Sequence, residues 1–255
     1  MTGSPDGPRS LDGHCAIVSG ASRGQGAAEA RALAGAGASV LLGDILDDEG
    51  KQVAVELGAA AQYCHLNVTS EADWANAVAL AEESFGHVSV LVNNAGILRR
   101  GRVQETTAAE FSATLDVNLL GTYLGIKAVL DSMAAAGGGS IINISSIGGM
   151  LGTPGAVAYV TSKWAVRGLT KAAASDLARL GIRVNSVHPG AIQTAMIAGA
   201  GFEAEAYIER HKDRMPIRRV GQPEDVAGAI VFLASPASAY ITGAELTVDG
   251  GWTIT

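Results

Sequence analysis

The sequence predicts a single α/β domain built on a parallel, doubly wound sheet, and three observations carry that reading. Short β-rich runs alternate with longer helical stretches along nearly the whole chain. The short runs are apolar at almost every position, as strands covered by helices on both faces require. At the amino end a strand, a glycine-rich loop and a helix start follow one another in that order. With 255 residues and 48% hydrophobic content, the chain can bury a large core in one such domain.

The elements follow in order. Ala16, Ile17 and Val18 mark a first strand over 15–19, followed by the loop SGASRGQG and an Ala-rich helix over 27–36. A second strand over 39–43 ends at Asp44. The next helix, 47–57, opens with Asp47, Asp48 and Glu49, which suit the positive end of a helix dipole. Strands over 62–65 and 88–92 flank a helix over 71–85. A long helix over 107–135 leads to a strand over 140–144, carried by Ile141, Ile142 and Ile144. A second long helix covers 156–180 and a strand follows over 183–187. The last helix, 223–233, has Pro223 at its first position, Glu224 and Asp225 in its first turn, and Ser235-Pro236 as its stop. A strand over 245–248 completes a seven-stranded sheet with right-handed crossovers. Residues 1–12 are expected to be a disordered tail and 13–255 one domain, since no repeat, linker or low-complexity block suggests another.

Composition excludes several functions. A net charge of −7 and the absence of Lys/Arg clusters count against nucleic-acid binding. Gly, Pro and charged residues interrupt every apolar stretch before it reaches membrane-spanning length, and the first residues have no apolar signal-peptide core. A cytoplasmic protein is expected. Cys15 and Cys64 fall in two strands without paired spacing, so reduced thiols are the default. His14, His65, His87, His188 and His211 show no metal-site spacing and read as structural or solvated.

Two motifs carry chemistry. In the first, Gly20, Gly24 and Gly26 lie between a strand and a helix start, where backbone N–H groups and the helix dipole cradle a pyrophosphate. Asp44 ends the next strand, in place to accept hydrogen bonds from both hydroxyls of an adenosine ribose. A dinucleotide site follows, with NAD the expected form. Arg23 argues for NADP, because a guanidinium in the loop can pair with the extra phosphate. Repulsion between Asp44 and a doubly charged phosphate should outweigh one flexible, solvated Arg contact.

In the second motif Tyr159 and Lys163 stand four residues apart on a helix, so hydroxyl and ammonium share a face. Such a pair is common on amphipathic helices and taken alone is more often not catalytic. Here Ser146 ends the run SIINISS, at the mouth of a parallel strand where α/β folds bind ligands. A close cation in a poorly hydrated site can bring a Tyr from about 10 toward about 7, and the Ser hydroxyl can hold a substrate oxygen. Ser145 is the competing choice, and both serines can instead satisfy turn backbone.

With these residues placed, the chain resembles the short-chain dehydrogenase/reductase family over nearly its whole length, and among its subgroups most closely the bacterial NAD-dependent 3α/20β-hydroxysteroid dehydrogenases. The glycine loop, Asn93-Asn94-Ala95-Gly96, Asn118, Ser146, Tyr159, Lys163 and Pro189-Gly190 occur in the family's order and approximate spacing. The subgroup likeness rests on GDILDDEG, INISSIGG, SVHPG and ITGAELTVDGGW. The resemblance implies a Rossmann-type domain and hydride transfer between NAD and a secondary alcohol or ketone. It implies Tyr159 as general acid/base, Lys163 lowering the Tyr159 pKa and binding the nicotinamide ribose, Ser146 orienting the substrate oxygen, and Asn118 holding a water behind Lys163. It assigns Gly20, Ser22, Arg23, Gln25 and Gly26 to the loop, Asp44 to the adenosine ribose, Val68 to the adenine pocket, Asn94 to the segment beside the ribose, and Ile192 with Thr194 to the carboxamide. Ser19, Gln25 and Asn67 depart from the usual Thr, apolar and acidic residues. The Asn67 amide oxygen is expected still to accept from the adenine amino group.

Gly148, Met150, Leu151, Met196, Phe202 and Tyr207 suggest a pocket for an apolar, bulky substrate, and 191–215 a mobile lid. Three functions compete: an NAD-dependent hydroxysteroid or cyclic-alcohol dehydrogenase, which is favoured; an NADPH-dependent 3-oxoacyl-thioester reductase with a basic docking patch near its cleft; and a nucleotide-sensing protein without turnover. The resemblance also implies a homotetramer in which the segment around Trp252 meets another subunit. Asp249-Gly250-Gly251 reads as a turn.

Overall fold

A computed structural model of the chain describes residues 10–196, 209 and 214–254. Seven parallel strands form one sheet in the order β3-β2-β1-β4-β5-β6-β7. They are β1 (Cys15–Ser19), β2 (Ser39–Asp44), β3 (Ala61–His65), β4 (Val88–Asn93), β5 (Gly139–Ile144), β6 (Ile182–Pro189) and β7 (Glu245–Val248). The doubly wound α/β architecture expected from the sequence is what forms. The chain runs outward from β1 to β3, then returns to pair β4 with the other side of β1, so the winding reverses between β1 and β4. At such a reversal the two connections leave in opposite directions and open a crevice above the carboxyl ends of the strands.

The two sides of β1 show how alternation builds the layers. Ala16 and Val18 face α1 (Gly24–Gly35), α2 (Asp47–Leu57) and the last helix, where they pack with Leu33, Val53, Ile230 and Leu233. Cys15 and Ile17 face the opposite layer, built on α3 (Glu71–Phe85) and the helices that follow it, where Trp74, Leu124, Met133 and Leu177 are packed. Burial pushes the free Cys15 thiol up to about 12.

Several boundaries differ from expectation. The first helix begins three residues earlier, inside the glycine loop. The helix expected over 107–135 is broken into α4 (Ala108–Leu115), a π-helical turn over Asp116–Leu120, α5 (Gly121–Ala128) and α6 (Leu130–Ala135). Apolar periodicity persists through such a turn, so the pattern does not reveal it. The second long helix, α7, spans Val157–Leu177, and the last, α8, spans Pro223–Ala234. The expected tail through residue 9 lies outside the described residues. Residues 10–13 form a turn in which Leu11 is fully buried and donates its N–H to the Ala36 carbonyl, so Leu11 packs with the domain. Trp252 is also buried within its own chain. No helix among the described residues is long and apolar enough to cross a membrane.

Candidate active site

The crevice at the reversal is a cleft of about 1070 Å³, lined at one end by Gly20, Arg23, Gly24, Gln25 and Asp44 and at the other by Ser146, Tyr159 and Lys163. Two glycines make its first wall. Gly20 has φ +67°, and a Cβ there would lie 2.8 Å from Ala95 Cα. A Cβ on Gly26 would run into the Gly20 carbonyl, so only glycine lets α1 begin this close to the loop. Asn94 locks the arrangement by donating its amide to the Ser19 and Gly20 carbonyls, each at 3.0 Å.

Asp44 has more to hold than the sequence suggested. Oδ1 accepts from the N–H groups of Ile45 and Leu46, and Oδ2 accepts from Ser22 N–H at 2.9 Å. One of its four lone pairs is left for a ligand hydroxyl, so it is an organiser of the loop as well as a ribose acceptor. Ser22 is a correction: it does not line the cleft, and its hydroxyl donates to the Leu46 carbonyl. Gly26 is likewise a packing residue. Arg23 is 58% exposed and 3.9 Å from Glu49. Asn67 lines the cleft, but its amide oxygen accepts from both the N–H and the hydroxyl of Thr69. That Asx-type turn occupies both lone pairs and leaves none for an adenine amino group, contrary to expectation. Val68, Ile192 and Thr194 line the cleft as expected.

At the other end, β5 delivers Ser146 and α7 delivers Tyr159 and Lys163. Lys163 is buried, donates from Nζ to the Ile144 carbonyl at 2.8 Å and lies 5.8 Å from the centre of the Tyr159 ring. Burial brings its ammonium down from 10.5 to about 8. Burial pushes the Tyr159 phenol up, opposed by a hydrogen bond with Ser146. Burial thus disfavours the charged form of both residues. Ser145 ceases to compete: its hydroxyl donates to the Lys163 carbonyl. Ser146 Oγ accepts from Gly148 N–H at 3.0 Å and shares its own proton with the Tyr159 phenol oxygen.

Asn118 sits in the π-helical turn, fully buried. Its side chain pairs with both backbone groups of Ile97, accepting at 2.8 Å and donating at 3.0 Å, and donates to Ser162 Oγ. Ser162 in turn donates to the Tyr159 carbonyl at 2.7 Å. Asn118 thus ties the segment after β4 to the helix carrying Tyr159.

Of the expected pocket residues, Gly148 and Met196 line the cleft, whereas Met150 and Leu151 do not. The 3₁₀ turn Ile147–Gly149 carries the chain away from it, with Arg167 holding the Gly149 carbonyl. Phe202, Tyr207 and most of the expected lid lie outside the described residues. Sequence reasoning missed Ile97, Leu98, Arg100 and Thr153 in the lining. Arg99, Arg100 and Arg102 are all exposed on the segment following β4, a basic group that the reading of dispersed charge had passed over. Their spacing in the sequence was the available signal. Among the described residues no group of His, Cys, Asp and Glu is arranged to hold a metal.

Known proteins match this chain throughout. A family model described as enoyl-(acyl carrier protein) reductase matches residues 20–253. The 3-alpha-(or 20-beta)-hydroxysteroid dehydrogenase of Mycobacterium tuberculosis is 48% identical over 94% of this chain and 90% of its own length. Trans-4-hydroxycyclohexanecarboxylate dehydrogenase of Sinomonas cyclohexanicum is 44% identical over 93% and 92%. Cyclopentanol dehydrogenase of Comamonas testosteroni is 41% identical over 93% and 96%. A crystal structure from Agrobacterium tumefaciens, provisionally named a gluconate dehydrogenase, superposes with a TM-score of 0.91 at 33% identity, covering 96% of this chain and 98% of that one. A family model over residues 20–253, relatives that match it nearly end to end and a solved structure of the same fold make the protein a member of the short-chain dehydrogenase/reductase family.

Proposed function

We propose that the protein is an NAD-dependent oxidoreductase that interconverts an apolar, cyclic secondary alcohol and its ketone. The observation that carries this is one cleft with a dinucleotide-sized reach, Asp44 and the start of α1 at one end and Ser146, Tyr159 and Lys163 at the other. The residues fit a nicotinamide dinucleotide: the glycine turn lets the helix start approach a pyrophosphate, and Asp44 keeps one lone pair for a ribose hydroxyl. When bound, that cofactor supplies the hydride acceptor or donor.

The protein's part is alignment and proton transfer. Ser146 turns its hydroxyl proton from the Tyr159 oxygen to the substrate oxygen. Tyr159 takes the alcohol proton in oxidation and returns it in reduction. Lys163, anchored on the Ile144 carbonyl, keeps two N–H donors for a ribose and holds positive charge beside the phenol. Asn118 fixes the wall opposite and keeps an oxygen lone pair that can face a water behind Lys163. The apolar lining by Ile97, Leu98 and Met196, and relatives named for hydroxysteroid, cyclohexanecarboxylate and cyclopentanol substrates, support a cyclic alcohol. The enzyme works in the cytoplasm as a homotetramer. Leu120, Tyr123 and Trp164 support assembly, since all three are large and exposed, on the helical stretch after β4 and on α7.

A second reading, a 3-oxoacyl-thioester reductase using NADPH, is favoured by the exposed Arg99, Arg100 and Arg102 beside the cleft and by Arg23. Assaying cyclic alcohols, their ketones and an acetoacetyl thioester with each cofactor separates the two. NAD-linked oxidation of the cyclic alcohols is expected; faster NADPH-linked reduction of the thioester favours the second reading.

A further inference from the structure

His188 lies at the end of β6 beside the cleft, fully buried, and does not line it. Its Nδ1 is 3.1 Å from the Ser146 carbonyl oxygen and its Nε2 is 2.9 Å from Ser186 Oγ. A carbonyl only accepts, so Nδ1 carries a proton. In the neutral ring Nε2 then has the lone pair, and the Ser186 hydroxyl donates to it at 2.9 Å in preference to the Ala244 carbonyl at 3.4 Å. The two-residue period of the strand puts Ser186 and His188 on one face, which makes this relay possible. Burial lowers the His188 pKa, opposed by the hydrogen bond to the Ser146 carbonyl and by Glu245 and aided by Arg167 and Lys163, so the neutral ring is the working form.

Ser146 is consequently gripped from several sides. Its carbonyl accepts from Gly149 N–H at 2.9 Å as well as from His188. The Gly149 bond is internal to the turn and moves with it. The His188 bond ties the turn to the sheet, one residue beyond the ladder bond from Ser145 N–H to the Val187 carbonyl. We propose that His188 is a positioning residue: through the Ser146 carbonyl it sets the direction in which Ser146 Oγ faces the substrate oxygen, with Ser186 fixing the ring tautomer. This rests on the dehydrogenase reading above.

The test compares His188→Phe, which keeps ring bulk and removes the donor, with His188→Asn, which puts an amide nitrogen near the place of Nδ1. Misplacing a reacting group by a fraction of an ångström costs roughly tenfold in rate, so kcat for the best cyclic alcohol should fall about tenfold in the Phe variant. Cofactor Kd, read by nucleotide fluorescence, should stay within about twofold, and the Asn variant should recover to within about threefold of native. In a Ser146→Ala background His188→Phe should cause no further loss, because its effect runs through Ser146. Unchanged kcat in folded His188→Phe, or a loss that persists in the Ser146→Ala background, overturns the proposal. Should the Phe variant not fold, Ser186→Ala releases the tautomer and is expected to lower kcat several-fold at unchanged cofactor affinity, with unchanged kcat overturning the proposal. A native protein that oxidises no secondary alcohol with either cofactor defeats the dehydrogenase reading and this one together; an active enzyme indifferent to His188 and Ser186 defeats this one alone.

Discussion

Replacing Asp44 with Ala should remove the enzyme's preference for NAD. A phosphate on the adenosine ribose would meet the Asp44 carboxylate at about 4 Å, where two unit charges repel by ~4 kcal/mol at the dielectric typical of protein surfaces. Arg23 opposes this weakly: it is 58% exposed and 3.9 Å from Glu49, and exposed pairs contribute ~0–1 kcal/mol. After discounting the repulsion for the open cleft, about 3 kcal/mol remains, so native kcat/KM should favour NAD by more than ~100-fold. The structure adds a cost that a bare ribose contact would not. Asp44 also accepts from the N–H groups of Ser22, Ile45 and Leu46, so Asp44→Ala loosens the loop that either cofactor needs. NAD efficiency should therefore fall well beyond the ~10-fold expected for one charged hydrogen bond. The ratio of the two efficiencies isolates the charge effect, and should move about 100-fold toward NADP. Steady-state kinetics of both proteins with both cofactors measure it. A native enzyme equally fast with NADP, or an unchanged ratio in Asp44→Ala, refutes the reasoning and makes Arg23 the determinant.

Glu29 on α1 is fully buried with neither carboxylate oxygen partnered among the described residues, and burial raises its pKa from 4.5 to about 8. The unfolded chain releases this proton first, so the group's stabilising contribution is complete below about 4.5 and is lost as pH rises through about 8. Glu29→Gln should then raise the melting temperature by roughly 4–8 °C at pH 8.5, for a gain of ~2 kcal/mol, and by little near pH 5; an equal effect at both pH values contradicts the assignment. Light scattering at micromolar concentration should give a tetramer, and Trp164→Glu, on the exposed face of α7, should shift it toward smaller species; a monomeric native protein contradicts this assembly.

The alternation of runs, the glycine loop and the four-residue spacing of Tyr159 and Lys163 made the fold and the core of the site legible, because each is a local pattern with a direct geometric meaning. What escaped has a different character. The π-helical turn at Asn118 leaves helical periodicity nearly intact. The commitments of Asp44, Ser22 and Asn94 are to backbone groups of neighbouring segments, and hydrogen bonds to backbone leave no trace in side-chain pattern. Ser145 and Ser146 are adjacent and chemically alike, and only the pairing of Ser145 with the Lys163 carbonyl separates them. His188 looked isolated because its partner is a carbonyl forty-two residues away in sequence. Met150 lies outside the cleft because the turn before it carries the chain away.

The most direct test is turnover of Tyr159→Phe with a cyclic secondary alcohol, followed by the appearance of reduced nicotinamide. Phenylalanine keeps the ring packed beside Ser146 and Lys163 and removes only the hydroxyl. The account predicts a loss of at least ~100-fold in kcat, the scale for removing a general acid/base, with cofactor affinity within about twofold of native. A correctly folded Tyr159→Phe enzyme with near-native turnover would take the proton transfer away from Tyr159 and contradict the mechanism.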